Sequence, residues 1–286
     1  MMSYLKYFRR YFRTSAGHLL GLQSDLRIWW TPEIPLIYIA NPKAGCSTIM
    51  QSMKAAQAAV YERDGRPFRR VEDPHTVDDC LYHDGLMPRQ AKQRYVFSCV
   101  RNPFARALSA YLDKIVTGAK TGRMEFRSRS VNTFEDFLRA IGDANPMHID
   151  THFRPQYLNL NYPKIAYDAL FYLEDDRPMA DFLARIHPGF SLHRWSPHAR
   201  SAADKLRTHY NDTTLDLARR FYARDFEYFG YSLELEDALK APAAMIVEEK
   251  LMLDSGNRVP TPPRQAPHSV LGATLRFRRL VHMRIF

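Results

Sequence analysis

The chain has 286 residues, 45% hydrophobic and 25% charged, which excludes a low-complexity or disordered protein and leaves enough apolar surface for a large core. A formal net charge of +10 favours anionic partners such as nucleotides, acidic sugars, nucleic acid or a membrane surface. Three cysteines without a C-x-x-C pair argue against a disulfide framework or a zinc site, and no run approaches the ~20 apolar residues of a membrane span.

Residues 1–30 set Lys6, Arg9, Arg10, Arg13 and Arg27 among Tyr4, Leu5, Phe8, Tyr11 and Phe12, with apolar positions at steps of three and four. This basic amphipathic segment has two readings, peripheral contact with an anionic membrane face or packing on the domain's own surface. It lacks the apolar h-region and cleavage site of a signal peptide, and the cysteine usage suits a reducing compartment. The expected location is cytoplasmic, with peripheral membrane contact as its variant.

The stretch Ile34 to Met53, IPLIYIANPKAGCSTIMQSM, reads as strand, tight loop and helix in succession. Leu36 to Ala40 is a short apolar run bounded by turn formers, as in a strand buried on both faces. Asn41, Pro42 and Gly45 break the pattern, and Ser47 or Thr48 is expected to cap the helix that follows. Such a loop aims backbone N–H groups and a helix N-terminus at one point, which suits a phosphate. Lys43 adds a mobile positive charge there. The motif is not the nucleotide-kinase loop, because Lys43 precedes Gly45 and no Gly-Lys pair exists.

Beyond the Ala- and Met-rich helix over Gln51 to Tyr61, Glu62 to Asp73 reads as a charged surface connection. His75 and His83 flank Cys80 at a spacing that matches no metal signature. Tyr95 to Val100 is a second short apolar run, hence a second buried strand, and it ends at Arg101-Asn102-Pro103. Pro103 is tolerated in the first turn of a helix that continues through FARALSAYLDKI. Phe104, Ala107, Leu108, Tyr111 and Ile115 face the sheet, while Arg106, Ser109 and Asp113 share another side. Arg101, Arg106 and Ser109 therefore suggest a second anion site, since guanidinium groups hold phosphate in bidentate fashion.

Ala119 to Ser130 is a basic, turn-like loop, and Thr133 to Ile141 a helix with Phe134, Phe137, Leu138 and Ile141 inward. Asp150 to Gln156 is a polar loop with His152 in it and His148 nearby. Ala166 to Leu173 predicts a third strand, followed by Glu174, Asp175 and Asp176 at the start of a helix over Pro178 to Ile186. From Ser201 the chain is helical again, and Leu215 to Phe229 ends at Gly230, a C-cap. Residues 236–286 form an extension with the proline-rich VPTPPRQAP and a basic end. Residues 31–235 form one domain.

The motifs NPKAGCSTI and VRNPFARALSAYLDK together resemble the sulfotransferases, most closely the carbohydrate type that includes chondroitin and dermatan 4-O-sulfotransferases. The eight-residue interval from Arg101 to Ser109 matches that family's arginine and serine ligands, and HFRPQ, YDALFYLED and YARDFEYFGY follow in the family's order. The resemblance implies an α/β fold, a parallel sheet of the P-loop-nucleotide type flanked by helices, in a single sulfotransferase domain. It also implies the donor 3′-phosphoadenosine 5′-phosphosulfate (PAPS), used without a metal. Pro42, Lys43, Ala44, Gly45, Cys46, Ser47 and Thr48 would hold its 5′-phosphosulfate, and Arg101, Arg106 and Ser109 its 3′-phosphate. Parallel strands place two such sites side by side at their carboxyl ends.

The implied reaction is in-line transfer of the sulfuryl group to a hydroxyl of a carbohydrate or glycolipid, with Lys43 stabilising the charge that grows on the bridging oxygen. The base is expected to be His152, ahead of His75 and of the acids Asp150 and Glu125. The paired cysteines and membrane anchor of vertebrate members are missing, so a soluble, bacterial-type relative is expected. Two other classes compete: an ATP-dependent phosphotransferase, which would need a Gly-Lys pair and Mg²⁺-holding acids, and a non-enzymatic protein that binds nucleic acid or membrane through its basic surface. The first reading predicts no nucleic-acid partner.

Overall fold

In a computed structural model, residues 26–84, 94–117, 131–193 and 202–243 are described. The basic segment over residues 1–25, the loop 119–130 with Glu125, and the tail beyond 243 lie outside the described residues. Among the described residues no helix is long and apolar enough to cross a membrane.

Among the described residues five strands form one sheet in the order β3-β1-β2-β4-β5. They are β1 (Ile28–Trp30), β2 (Leu36–Ile39), β3 (Tyr82–Asp84), β4 (Tyr95–Val100) and β5 (Ala169–Tyr172). The centre is parallel, β2 with β4 and β4 with β5, as the family resemblance implies, and its strands fall on the three apolar runs. The antiparallel edge of β1 and β3 was not legible, because three-residue strands carry too little alternation to stand out. Ile28 to Trp30, part of the predicted amphipathic segment, is therefore strand and not helix. Strand β5 is shorter than the run Ala166 to Leu173, since Asp168 accepts from Val96 N with its carboxylate at 2.8 Å just before the strand begins.

Side chains alternate across the central strands, as a strand's period of two requires. Ile37, Ile39, Val96 and Val100 enter one core, with α2 (Pro103–Tyr111), α3 (Phe134–Gly142), α6 (Ala202–His209), α7 (Asp212–Phe221) and α8 (Ala223–Phe229) over that face. Leu36, Tyr38, Phe97 and Cys99 enter the other, covered by α1 (Cys46–Arg63) and α5 (Arg177–Ile186). Phe97 is fully buried there with its ring 6.1 Å from that of Phe182 and 6.4 Å from that of Phe171, a burial worth about 1.5–3 kcal/mol for one such side chain. The short α4 (Gln156–Asn159) begins at Gln156, which bonds Asn41 after β2 and Arg101 after β4.

Three local expectations are corrected. Helix α1 starts at Cys46, with Gly45 at its N-cap in the left-handed region and no side-chain cap, so Ser47 and Thr48 lie inside the first turn. The segment Leu215 to Phe229 is two helices broken at Tyr222, whose hydroxyl donates to Phe153 O at 2.8 Å and so draws the chain inward. At the start of α5 Asp176 makes no capping bond. Asp175 pairs with Arg177 instead, and Glu174 turns toward Asn102 N and the Tyr231 hydroxyl. Gly230 ends α8 as a left-handed C-cap, and Thr133 with Asp136 closes a capping box on α3.

Candidate functional site

The carboxyl ends of β2, β4 and β5 lie side by side, and each continues into a loop that carries charge. The first, residues 40–45, turns tightly enough that Lys43 and Gly45 both take positive φ, 67° and 80°. For a lysine that backbone costs about 1 kcal/mol or more, and such strain gathers at functional sites. At Gly45 a Cβ would also meet Leu173 Cδ1 at 2.9 Å, so a side chain there would need both the strained backbone and a shift of Leu173. The turn brings the N–H groups of Cys46 and Ser47, in the first turn of α1, to the open end of that helix.

Inside the loop the buried side chains anchor it. Cys46 Sγ donates to Asn41 O at 2.8 Å, which turns the thiol inward and leaves only its amide for a ligand. Asn41 Nδ2 donates to Cys99 O at 3.0 Å and to Gln156 Oε1 at 2.8 Å. That same Gln156 oxygen accepts from Arg101 N at 2.9 Å, while Gln156 Nε2 donates to Arg101 O at 2.8 Å. One amide thus fastens the loops after β2 and β4 together. Asp225 of α8 fixes it in turn, accepting from Gln156 N at 2.8 Å and from Tyr157 N at 2.9 Å.

Arg101 extends from the end of β4 and donates to Lys43 O at 3.3 Å. Burial lowers its pKa, and the carboxylate of Glu174 opposes that shift. Arg106 behaves otherwise than the second anion site predicts. It is 1% exposed, and its Nε, Nη1 and Nη2 donate to Pro42 O (2.9 Å), Arg154 O (2.9 Å) and Thr151 O (3.1 Å). It is therefore a strut between the Lys43 loop and the loop that carries His152. The helical spacing that put it beside Ser109 did not reveal that both loops pass over its end. Ser109 is half-buried one turn further along α2, and Ala44 is buried.

His152 stands on the segment braced by Arg106, and its Nδ1 lies 2.5 Å from Asp150 Oδ1, which also accepts the His152 backbone N–H at 2.7 Å. The carboxylate holds the ring through Nδ1, leaving Nε2 as the atom for proton transfer. Burial lowers the His152 pKa, Asp150 works against it, and the charges of Lys114 and Arg27 add to the lowering. For Asp150, burial pushes upward but the bonds and charge of His152 outweigh it, so its carboxyl titrates at about 2.

His75 comes to the same place. Its Nε2 is 3.0 Å from Ser47 Oγ, and its pKa is lowered by burial with help from Arg27, His152 and Lys114. It is held there by a buried ion pair unforeseen from the sequence: Lys54 Nζ and Asp78 Oδ2 at 2.9 Å, both side chains wholly buried. Lys54 also donates to the carbonyls of Val71, Asp73 and Thr76, and Asp78 accepts from the amides of Val71, Cys80 and Leu81. Together they shape the loop around His75. A lysine inside an Ala- and Met-rich helix was the available signal. Lys43 itself pairs with Asp113 at 3.3 Å. Burial lowers its pKa, Asp113 opposes this, and Arg101 and Lys114 contribute to the lowering.

The structure thus brings Lys43, the α1 amides, Ser47, Arg101, His75 and His152 to one edge of the sheet, where cations on adjacent strands can hold a ligand with two separate anionic groups and a histidine can take a proton. A family model described as the sulfotransferase family matches residues 26–232. Carbohydrate sulfotransferase 10 of Gallus gallus is 27% identical over 246 residues, covering 72% of this chain and 66% of that protein. The Homo sapiens protein of the same name is 28% identical over 247 residues, with 72% and 67% covered. Carbohydrate sulfotransferase 14 of Danio rerio is 28% identical over 233 residues, with 70% and 61% covered. The match spans about two thirds of the length of these curated relatives. No solved structure gives a significant match.

Proposed function

The chain belongs to the sulfotransferase family and is a sulfotransferase, and from that premise we propose that it moves a sulfuryl group from PAPS to a hydroxyl of a carbohydrate or glycolipid. The carbohydrate class of acceptor rests on the names of its relatives. The observation that carries the donor reading is the contact between Arg101 and Lys43 O across the ends of two adjacent parallel strands. It supports a reading in which two cationic sites share one nucleotide bearing phosphates on its 3′ and 5′ positions, whereas ATP presents a single chain of phosphates.

In this reading the α1 amides and the Ser47 and Thr48 hydroxyls hold the 5′-phosphate, and Arg101 with Ser109 faces the 3′-phosphate. His152 Nε2 takes the proton of the acceptor hydroxyl as that oxygen bonds to sulfur. The bond from sulfur to the bridging oxygen breaks, and Lys43 meets the negative charge left on the departing 3′,5′-adenosine bisphosphate. Arg106 keeps Lys43 and His152 in register from below. No step calls for a metal.

Titration calorimetry tests the donor assignment. We expect 3′,5′-adenosine bisphosphate to bind at least tenfold more tightly than ATP, with no need for Mg²⁺. Lys43→Ala should depress transfer more than nucleotide affinity, and Arg101→Ala the reverse. Equal affinity for the two nucleotides would favour the phosphotransferase reading, and binding that falls steeply with salt but ignores both substitutions would favour a non-enzymatic basic surface. Labelled PAPS offered to a panel of polysaccharides, lipid-linked sugars and small phenols identifies the acceptor.

A further inference from the structure

At its carboxyl end α2 runs into a π-helical turn, Leu112–Val116. Single π turns within helices mark functional positions more often than ordinary ones, because the extra residue per turn redirects the side chains it carries. Here the turn carries Asp113 and Lys114, and one oxygen of Asp113 touches two ammonium groups: Lys43 Nζ at 3.3 Å and Lys114 Nζ at 3.2 Å. The two lysines are well covered, with side chains 21% and 17% exposed, while the carboxylate between them is 43% exposed. This is the reverse of a surface ion pair, in which the long cationic arm stays in water. Two covered ammonium groups repel one another, and a single carboxylate leaves them one positive charge in excess.

The position of Lys114 agrees with this. Its charge contributes to the lowered pKa of Lys43, His75 and His152 alike, so it lies close enough to act on all three. Of the charges acting on Lys43, Asp113 raises its pKa while Arg101 and Lys114 lower it. An anion entering between Lys43 and Lys114 would take the place that the Asp113 oxygen now holds.

We propose that Lys114 is a second lysine ligand of the donor's sulfonate, acting beside Lys43, and that Asp113 occupies the sulfonate position when no donor is bound. The assignment rests on the donor reading above. It gives the two lysines separate tasks, with Lys43 at the bridging oxygen and Lys114 on the sulfonate that is transferred, while Asp113 swings out toward solvent as the donor enters.

The test compares PAPS with 3′,5′-adenosine bisphosphate, which lacks the sulfonate, by calorimetry on the full chain at one ionic strength. Lys114→Gln should weaken PAPS at least tenfold and leave the bisphosphate within about twofold, and Lys114→Arg should restore most of the difference. Asp113→Asn, which removes the competing charge, should tighten PAPS severalfold with less effect on the bisphosphate. If Lys114→Gln weakens both ligands equally or neither, or if Asp113→Asn weakens PAPS, the assignment is overturned while the donor reading stands. A wild-type chain that binds neither ligand overturns both.

Discussion

Gln156 and Arg101 are joined as two residues of neighbouring strands would be: the Gln156 amide accepts from Arg101 N at 2.9 Å and donates to Arg101 O at 2.8 Å. A side chain thus continues the sheet beyond the last residue of β4, and its oxygen also holds Asn41 at the end of β2. The spacing of the two candidate phosphate sites depends on this one amide. Gln156→Ala should therefore weaken 3′,5′-adenosine bisphosphate about tenfold, or ~1.4 kcal/mol. Gln156→Glu should be worse, since its carboxylate would face the Arg101 carbonyl. Calorimetry on both variants checks the order.

Arg106 should matter to rate and stability together. Removing its guanidinium in Arg106→Met strands buried carbonyls of Pro42 and Arg154, at about 1–3 kcal/mol each. The loops bearing Lys43 and His152 also lose their common support. We expect a lower urea midpoint and a turnover that falls further than bisphosphate affinity does. A variant as stable and as active as wild type would refute the strut.

The pH profile reports on His152. As the proposed base, His152 must be neutral, and burial lowers its pKa below the ordinary 6.5, so the midpoint of the acid limb of turnover should lie below pH 6.5. Asp150 raises that pKa, so Asp150→Asn should move the acid limb to still lower pH, with a reduced plateau because the ring is no longer held. On the basic side, turnover should decline below the ordinary lysine value of 10.5, as Lys43, its pKa lowered by burial, loses its proton. Initial rates across pH for the two proteins test each limb.

Asp78→Ala leaves the Lys54 ammonium fully buried without its counter-charge, a change that typically costs about 3–5 kcal/mol. Chemical denaturation should show that loss. Because the same pair shapes the loop around His75, the midpoint should fall together with any contribution that His75 makes to donor affinity. The double variant Lys54→Met with Asp78→Leu should stay destabilised although no buried charge remains, since the carbonyls of Val71, Asp73 and Thr76 and the amides of Val71, Cys80 and Leu81 lose their partners.

Much of this site is local and was legible for that reason. The strand–loop–helix at Lys43 and the strand–helix junction at Arg101 each lie within about twenty residues, where apolar run length, glycine and proline dictate the turn. The family likeness of both motifs follows from the same short windows. By contrast the role of Arg106 was misread, because helical periodicity ranks faces of one helix and is blind to the loops of residues 42 and 151–154 that close over it.

The chain alone determined which segments become the central parallel strands, where the two cationic motifs sit, and that both fall at strand ends, since these follow from hydrophobic run length and backbone preference within a few turns of chain. Only tertiary structure decided that Gln156 knots the two motifs together, that Lys54 and Asp78 bring His75 onto Ser47, and that one carboxylate oxygen lies between Lys43 and Lys114. Those partners are tens of residues apart or on a turn of unusual pitch, and no pattern along the chain encodes which buried polar groups will find one another once the core has closed.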